Sequence, residues 1–146
     1  MFLIKKATII DPHSSFNGRT VDILVKQGKI VDIGQDLSDR EAKIIESQHL
    51  HVSTGWMDVG AQVGEPGFEH REDLESVTAA AASGGYTSLA CFPNTQPTIH
   101  SKSEVLFLKN NGGLVHFHPI GALSKDCEGQ DLAELYDMSA NGAVAF

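Results

Sequence analysis

Pairs of histidines separated by one residue are the feature of this sequence whose type and spacing could hold a metal ion. His116 and His118 flank a single phenylalanine, and because side chains alternate along a strand both imidazoles would leave the same face. Two imidazoles alone make a weak site, since a catalytic zinc takes three protein ligands, and the next carboxylate, Asp126, lies a loop away. We therefore expect these histidines, and the similar pair His49 and His51, to be structural or surface residues.

Three glutamates precede the first helical pattern of the chain. Glu65, Glu69 and Glu72 would suit acid–base chemistry if two of them converged. Acidic residues also stabilise the start of a helix through its dipole, and we favour this role for Glu69 and Glu72. Cys91 lies in an apolar strand pattern and is expected to be buried and unreactive.

The elements that would position these residues fall into two parts. Residues 1–52 predict a small, sandwich-like antiparallel β domain, of which they would form the N-terminal part. Its strand segments are expected at 2–10, 21–25, 30–33 and 43–46. The middle two should form a hairpin around Gln27-Gly28.

Residues 53–146 predict strands that alternate with helices. Strands are expected at 56–59, 87–92, 114–118 and 143–146, and helices at 73–83, 101–110 and 130–139. Crossover helices imply a parallel sheet, so this part would supply the first four units of a TIM-like (β/α)8 barrel, which needs about 250 residues. A four-unit open sheet is the alternative, although ending on an apolar strand favours an incomplete barrel. Exposed barrel edges would favour a homo-oligomer or association with another chain.

The composition excludes several classes of protein. The 146 residues carry a formal net charge of −8, which disfavours nucleic-acid binding because phosphate contacts need a basic face. The mean hydropathy is −0.12 and no apolar run approaches twenty residues, so no membrane span is expected. The first residues do not form a secretory signal, since their charges follow the apolar stretch. Two widely spaced cysteines indicate neither a disulfide framework nor a zinc knuckle, and we expect a cytoplasmic protein.

The segment 54–73 resembles the first barrel strand and loop of class I dihydroorotases, members of the amidohydrolase superfamily. The family pattern there is close to P-G-x-x-D-x-H-x-H-x-R-E-P-G. The resemblance continues through 79–88, 92–97, 119–125 and 141–146, so it covers the whole chain. It implies an enzyme of pyrimidine biosynthesis that opens the cyclic amide of dihydroorotate or closes it from carbamoyl aspartate. Active members use zinc to activate the attacking water, and an aspartate moves the proton.

The same alignment shows that the family's functional positions are altered. The His-x-His metal ligands are replaced by Gly60 and Gln62, and the arginine that would bind the substrate carboxylate is replaced by Gly64. Glycine has no ligand atom and an amide is a poor substitute for imidazole on zinc. We therefore expect no metal, cofactor or catalytic residue in this chain, and the aspartate of strand four would fall past Phe146. Asn94 resembles the family's substrate-contacting asparagine, although an ordinary turn is the simpler explanation of Pro-Asn-Thr.

Two functional hypotheses follow from the resemblance. The first is a non-catalytic dihydroorotase homologue that binds or scaffolds another protein. Its suggested partner is aspartate carbamoyltransferase, with which inactive members of the family associate. The alternative is an active metal-dependent dihydroorotase or related cyclic amidohydrolase of which these 146 residues are a fragment. A truncated product without a function of its own is a third possibility.

Overall fold

The computed structural model describes residues 1–146, which divide into two compact units, Met1–Thr54 and Gly55–Phe146. The first unit contains only strands, whereas the second contains strands and helices. The chain is therefore a mixed α/β protein. Its longest helix has 10 residues, well short of the roughly 20 that a helix needs to cross a bilayer.

The first unit is a five-stranded sheet. Its strands are β1 (Phe2–Ile10), β2 (Thr20–Lys26), β3 (Lys29–Gly34), β4 (Lys43–Ile45) and β5 (His51–Ser53). The order is β3-β2-β1-β4, and β5 also pairs with β1. The hairpin between β2 and β3 is confirmed: Gln27 and Gly28 have φ angles of 49° and 73°, the positive values that a two-residue hairpin turn favours. The buried cluster of this sheet is formed by Ala7, Ile9, Val21 and Ile23.

The expectation of a wholly antiparallel sheet is wrong. β4 and β5 both run parallel to β1, with Phe2 opposite Lys43 and Thr8 opposite His51. Because β2 occupies one edge of β1, the chain that follows β3 pairs along the other edge. Side-chain alternation indicates which face of a strand is buried, but it does not indicate the direction of its neighbour. A bulge near Lys6, whose φ is 52°, separates the two parallel pairings.

The second unit is a three-stranded parallel sheet with helices packed against it. Its strands are β6 (Trp56–Ala61), β7 (Tyr86–Cys91) and β8 (His116–Pro119), in that order across the sheet. Its helices are α1 (Leu74–Ser83), α2 (Lys102–Asn110) and α3 (Leu135–Asn141). The core between sheet and helices includes Leu74, Val77, Leu89, Cys91, Val105, Leu108, Phe117 and Met138. The parallel sheet with crossover helices agrees with the sequence prediction.

Helix starts follow from local side chains. Asp73 caps α1, accepting a hydrogen bond from the Ser76 N–H at 2.8 Å, and Ser101 caps α2. Both helices were expected within a residue or two of these bounds. Helix α3 starts at Leu135 rather than at residue 130, because residues 131–133 pair with the chain at 123–125 instead. A short 3₁₀ turn, Lys125–Cys127, lies in the connection between these two paired segments.

The expected fourth strand at 143–146 is not formed as a strand. A single parallel bridge joins Ile120 to Ala145, supported by hydrogen bonds from Gly121 N to Ala145 O and from Val144 N to Pro119 O, both 2.9 Å. The neighbour and the direction agree with a fourth parallel strand. The length of the pairing is shorter than expected, since only one bridge forms. The third strand is also shorter than expected, because it begins at His116 rather than at residue 114.

Candidate functional site

A cavity of about 190 Å³ lies beyond the carboxyl ends of β6 and β7, where parallel β/α proteins place their ligands. It is lined by Gln62, Val63, Gly64, Phe68, Arg71, Glu72 and Asn94. Gln62 follows the last residue of β6, and Asn94 follows β7 by three residues. The structure thus brings Gln62, Gly64 and Asn94, which were singled out in the sequence, to one cavity.

Two loops form the walls of this cavity and are joined to each other. Loop 64–72 connects β6 to α1, and loop 92–97 follows β7. The Gln96 N–H donates to the Pro66 oxygen at 2.9 Å, which holds the two loops side by side. Within the second loop, the buried Thr95 hydroxyl donates to the Pro97 oxygen at 2.8 Å. Asn94 is therefore presented from an ordered turn, and its own side chain is exposed.

Gly60, which the resemblance aligns with the first metal ligand of the family, lies against the ring of Phe92. Gly60 has a φ of 104° and lies in an irregularity of β6. A Cβ atom there would lie 2.8 Å from Cζ of Phe92, so any side chain at this position requires that the ring move. Gln62, the second position, offers only an amide.

The side chains of the chain do not fit the zinc that the family implies. Position 60 has no ligand atom, and a glutamine amide does not replace neutral imidazole. No group of three or more histidine, cysteine or acidic side chains is placed to hold a metal ion.

Gly64, which the resemblance aligns with an arginine of the family, is covered by backbone. A Cβ atom at Gly64 would overlap the backbone oxygen of Glu72 and lie 2.8 Å from that of Phe68. Backbone hydrogen bonds keep the loop in this shape: the Phe68 N–H donates to the Gly64 oxygen at 2.7 Å, and the Arg71 N–H donates to the Phe68 oxygen at 2.8 Å. An arginine at position 64 is therefore incompatible with this loop conformation.

The side chains that bind the start of α1 are those of Glu65 and Asp73, and neither Glu69 nor Glu72 caps the helix. Glu65 binds the start of α1, where its Oε2 accepts from the Leu74 N–H at 3.0 Å, and Asp73 provides the cap itself. Glu69 instead accepts from the Gly67 N–H at 2.8 Å, which lowers the pKa of its carboxyl below its ordinary value. Sequence position near a helix start did not reveal which carboxylate the folded loop turns toward the helix.

The cavity contains a cation that the sequence analysis did not single out. Arg71 lines it, and the guanidinium Cζ lies 5.8 Å from the centre of the Phe68 ring, within the range of a cation–π contact. The side chain of Arg71 forms no ion pair within the chain. The signal in the sequence was a basic residue, Arg71, directly ahead of Glu72 and Asp73 in the loop before the first helix.

The histidine pair His116 and His118 lies on β8, with His116 exposed and His118 half-buried. Asp126, the carboxylate a loop away, contacts His100 instead: its carboxylate lies 3.2 Å from His100 Nδ1 and its N–H lies 3.1 Å from the same atom. In the other pair, a His51 ring nitrogen lies 2.7 Å from the backbone oxygen of the preceding histidine.

Cys91 is fully buried in the core between sheet and helices, as expected. Burial raises the pKa of its thiol to about 12, so the thiol is neutral at physiological pH. Cys127 is exposed, and both cysteines are free.

Comparison with known proteins gives one consistent result. No family model matches the chain. A dihydroorotase from Acetivibrio thermocellus is 40% identical over 146 residues, which cover 98% of this chain and 34% of that protein. The dihydroorotase from Aquifex aeolicus is 34% identical, over 99% of this chain and 35% of its own length. The chain therefore spans about a third of the length of the curated relatives that it matches.

Solved structures agree with these relatives. The L-hydantoinase (dihydropyrimidinase) from Arthrobacter aurescens superimposes with a TM-score of 0.76 and 29% identity, covering 100% of this chain and 32% of its own. A D-hydantoinase (dihydropyrimidinase) from Thermus sp. has a TM-score of 0.69 at 21% identity and shares the fold.

Over its whole length the chain is thus homologous to part of the cyclic amidohydrolases, a class within the amidohydrolase superfamily. Within that class it is a homologue of dihydroorotases, and the resemblance found in the sequence is confirmed.

Proposed function

We propose that the chain is part of a non-catalytic dihydroorotase homologue. The observation that carries the proposal is the set of side chains at the cavity: Gly60, Gln62 and Gly64 stand where active members carry two imidazoles and a guanidinium. The backbone over Gly64 supports it further, because a side chain at that position would overlap the Glu72 oxygen. Backbone hydrogen bonds within and between the two loops hold the walls of the cavity in place.

We further propose that the second unit is the first part of a TIM-like barrel and that the first unit belongs to a small β domain, with the boundary near residues 52–54. The parallel order β6-β7-β8 and the bridge from Ile120 to Ala145 support the barrel. The amidohydrolase structures that the chain matches along its full length support both assignments.

The experiment is a paired measurement of zinc content and turnover. The purified protein, with its complete natural chain, is incubated with zinc, dialysed, and analysed by mass spectrometry for bound metal and by absorbance for opening of dihydroorotate. We expect substoichiometric zinc and no turnover above a heat-inactivated sample, with an active dihydroorotase treated in parallel as the control. Stoichiometric zinc with turnover would establish the alternative, an active cyclic amidohydrolase that takes its ligands from elsewhere in the chain.

As a partner we propose aspartate carbamoyltransferase, on the basis of family resemblance. Self-association through exposed barrel edges is the second form of this proposal. Co-purification under gentle conditions tests the first, and light scattering after gel filtration tests the second. A monomer that captures no carbamoyltransferase would contradict both.

We propose a cytoplasmic location for the protein. Both cysteines are free and one of them is exposed, which suits a reducing compartment.

A further inference from the structure

We propose that Asn111 is a site of spontaneous deamidation, and that its conversion to aspartate or isoaspartate destabilises the end of α2. The reaction is intramolecular: the backbone nitrogen of the next residue attacks the side-chain carbonyl carbon, Cγ, and gives up its proton to base. The N–Cγ bond forms as the Cγ–Nδ2 bond breaks, the amide nitrogen takes up a proton and leaves as ammonia, and water then opens the succinimide ring. The inference does not depend on the proposed function, because the reaction needs only this segment and solvent.

Three asparagines of the chain precede a glycine, the neighbour that hinders this attack least because it has no side chain. They are Asn17, Asn111 and Asn141. The asparagine–glycine sequence favours the reaction at all three positions and does not distinguish them. The folded structure distinguishes them through the backbone N–H group that must lose its proton.

Asn111 and Asn141 form a matched pair, since each lies at the C-terminal end of a helix, α2 or α3. The Nδ2 atom of Asn111 donates to the Phe107 oxygen at 2.8 Å, and that of Asn141 donates to the Asp137 oxygen at 2.7 Å, four residues back in both cases. Both side chains must release this bond before the ring can close. Their side-chain contacts therefore do not separate the two positions.

Two of the three glycine N–H groups are protected by hydrogen bonds. The Gly142 N–H donates to the Ser139 oxygen at 3.2 Å, and the Gly18 N–H donates to the Ile9 oxygen at 2.8 Å. The side chain of Asn17 is also held, because its Oδ1 accepts from a backbone N–H at 2.9 Å. Attack by either nitrogen must first break its hydrogen bond, which raises the barrier to ring closure at Asn17 and Asn141.

The Gly112 N–H has no such protection. It has no hydrogen-bond acceptor within the chain, and both Asn111 and Gly112 are exposed to water and to base in solution. The connection from α2 to β8 also contains a second glycine, Gly113, so its backbone can rotate to bring the nitrogen toward Cγ of Asn111. Asn111 is therefore the reactive member of the three.

Conversion at Asn111 changes the end of α2 in two ways. A carboxylate cannot donate to the Phe107 oxygen as the amide does. Its negative charge would also lie at the C-terminal end of the helix, where the last carbonyl groups already carry partial negative charge. Both changes lower the stability of the second unit, and isoaspartate in addition lengthens the main chain ahead of β8 by one carbon atom.

Peptide mapping of the purified, complete protein after incubation in mildly alkaline buffer tests the inference. Trypsin cleaves after Arg19, Lys109 and Lys125, so the three asparagines fall in three different peptides. Mass spectrometry then gives the rate of amide-to-acid conversion for each. We expect Asn111 to convert about two- to tenfold faster than the other two, the factor that corresponds to one backbone hydrogen bond.

The controls separate the fold from the local sequence. In concentrated urea the protecting hydrogen bonds are lost, so we expect the three peptides to convert at similar rates. Asn111→Gln should abolish the fast conversion, because the longer side chain closes a larger ring more slowly, and the Asn110 that remains in that peptide is not followed by glycine. Asn141→Gln, the matched variant at the end of α3, should leave the rate at Asn111 unchanged.

A second measurement tests the consequence for α2. Asn111→Asp reproduces the aspartate product, and we expect it to lower the melting temperature of the second unit by about 4–8 °C, followed by circular dichroism.

Three outcomes overturn the inference. In the folded protein, Asn17 or Asn141 converts as fast as Asn111; the excess rate at Asn111 persists unchanged in urea; or Asn111→Asp melts with the wild type. None of these measurements involves zinc or turnover, so their failure leaves the proposed function standing.

Discussion

Gly64→Ala is the substitution that tests the loop conformation most directly. The added methyl group would overlap the Glu72 oxygen and lie 2.8 Å from the Phe68 oxygen, and both atoms belong to backbone that rotation of a side chain cannot relieve. Overpacking of this kind costs about 1–3 kcal/mol, and we take the upper part of that range because backbone must move. Alanine reduces the entropy of the unfolded chain and returns about 0.4–1 kcal/mol. The net loss is about 2 kcal/mol, which lowers the melting temperature of a domain of this size by about 10 °C.

Circular dichroism at 222 nm reports this loss selectively, because all three α-helices lie in the second unit. The control is Gly113→Ala, in the same unit, where the new Cβ would make an ordinary contact of 3.6 Å with Thr78. We expect its melting temperature to match or slightly exceed that of the wild type. If Gly64→Ala melts together with Gly113→Ala, the loop is not packed over position 64.

Other expectations concern the cysteines and the first unit. Cys127 should react with a thiol reagent at once and Cys91 only after denaturation, giving one and then two labelled thiols per chain; two fast thiols would contradict the burial of Cys91. Because burial raises the pKa of Cys91 above its ordinary 9.0, its neutral thiol stabilises the fold fully below pH 9 and progressively less as the pH rises toward 12. The stability difference between the wild type and Cys91→Ala should therefore fall by about 1 kcal/mol between pH 9 and 10 in urea titrations, and a constant difference would count against the shift. Lys5→Met leaves the buried Asp22 carboxylate without its ion pair of 2.5 Å and should cost about 2 kcal/mol in urea unfolding, whereas an unchanged midpoint would show that backbone donors alone satisfy Asp22.

Much of the local structure could be predicted from the sequence. Gln27-Gly28 between two β-branched segments predicts the hairpin, and Asp73 ahead of an apolar stripe predicts the start of α1, since both depend on residues a few positions apart. That positions 60 and 62 offer no imidazole is likewise evident without coordinates, because they are glycine and glutamine. Such conclusions depend on residue type and short spacing alone.

Tertiary structure decided what depends on residues far apart in the chain. Whether β4 runs parallel to β1 depends on pairing across about 40 residues, for which side-chain alternation carries no directional signal. Which acid binds the start of α1, and that the guanidinium of Arg71 reaches the cavity left beside Gly64, both follow from how loop 64–72 folds back on its own backbone oxygens. The types of side chain at the cavity were therefore set by the sequence, but the position of its cation was set by the close packing of that loop.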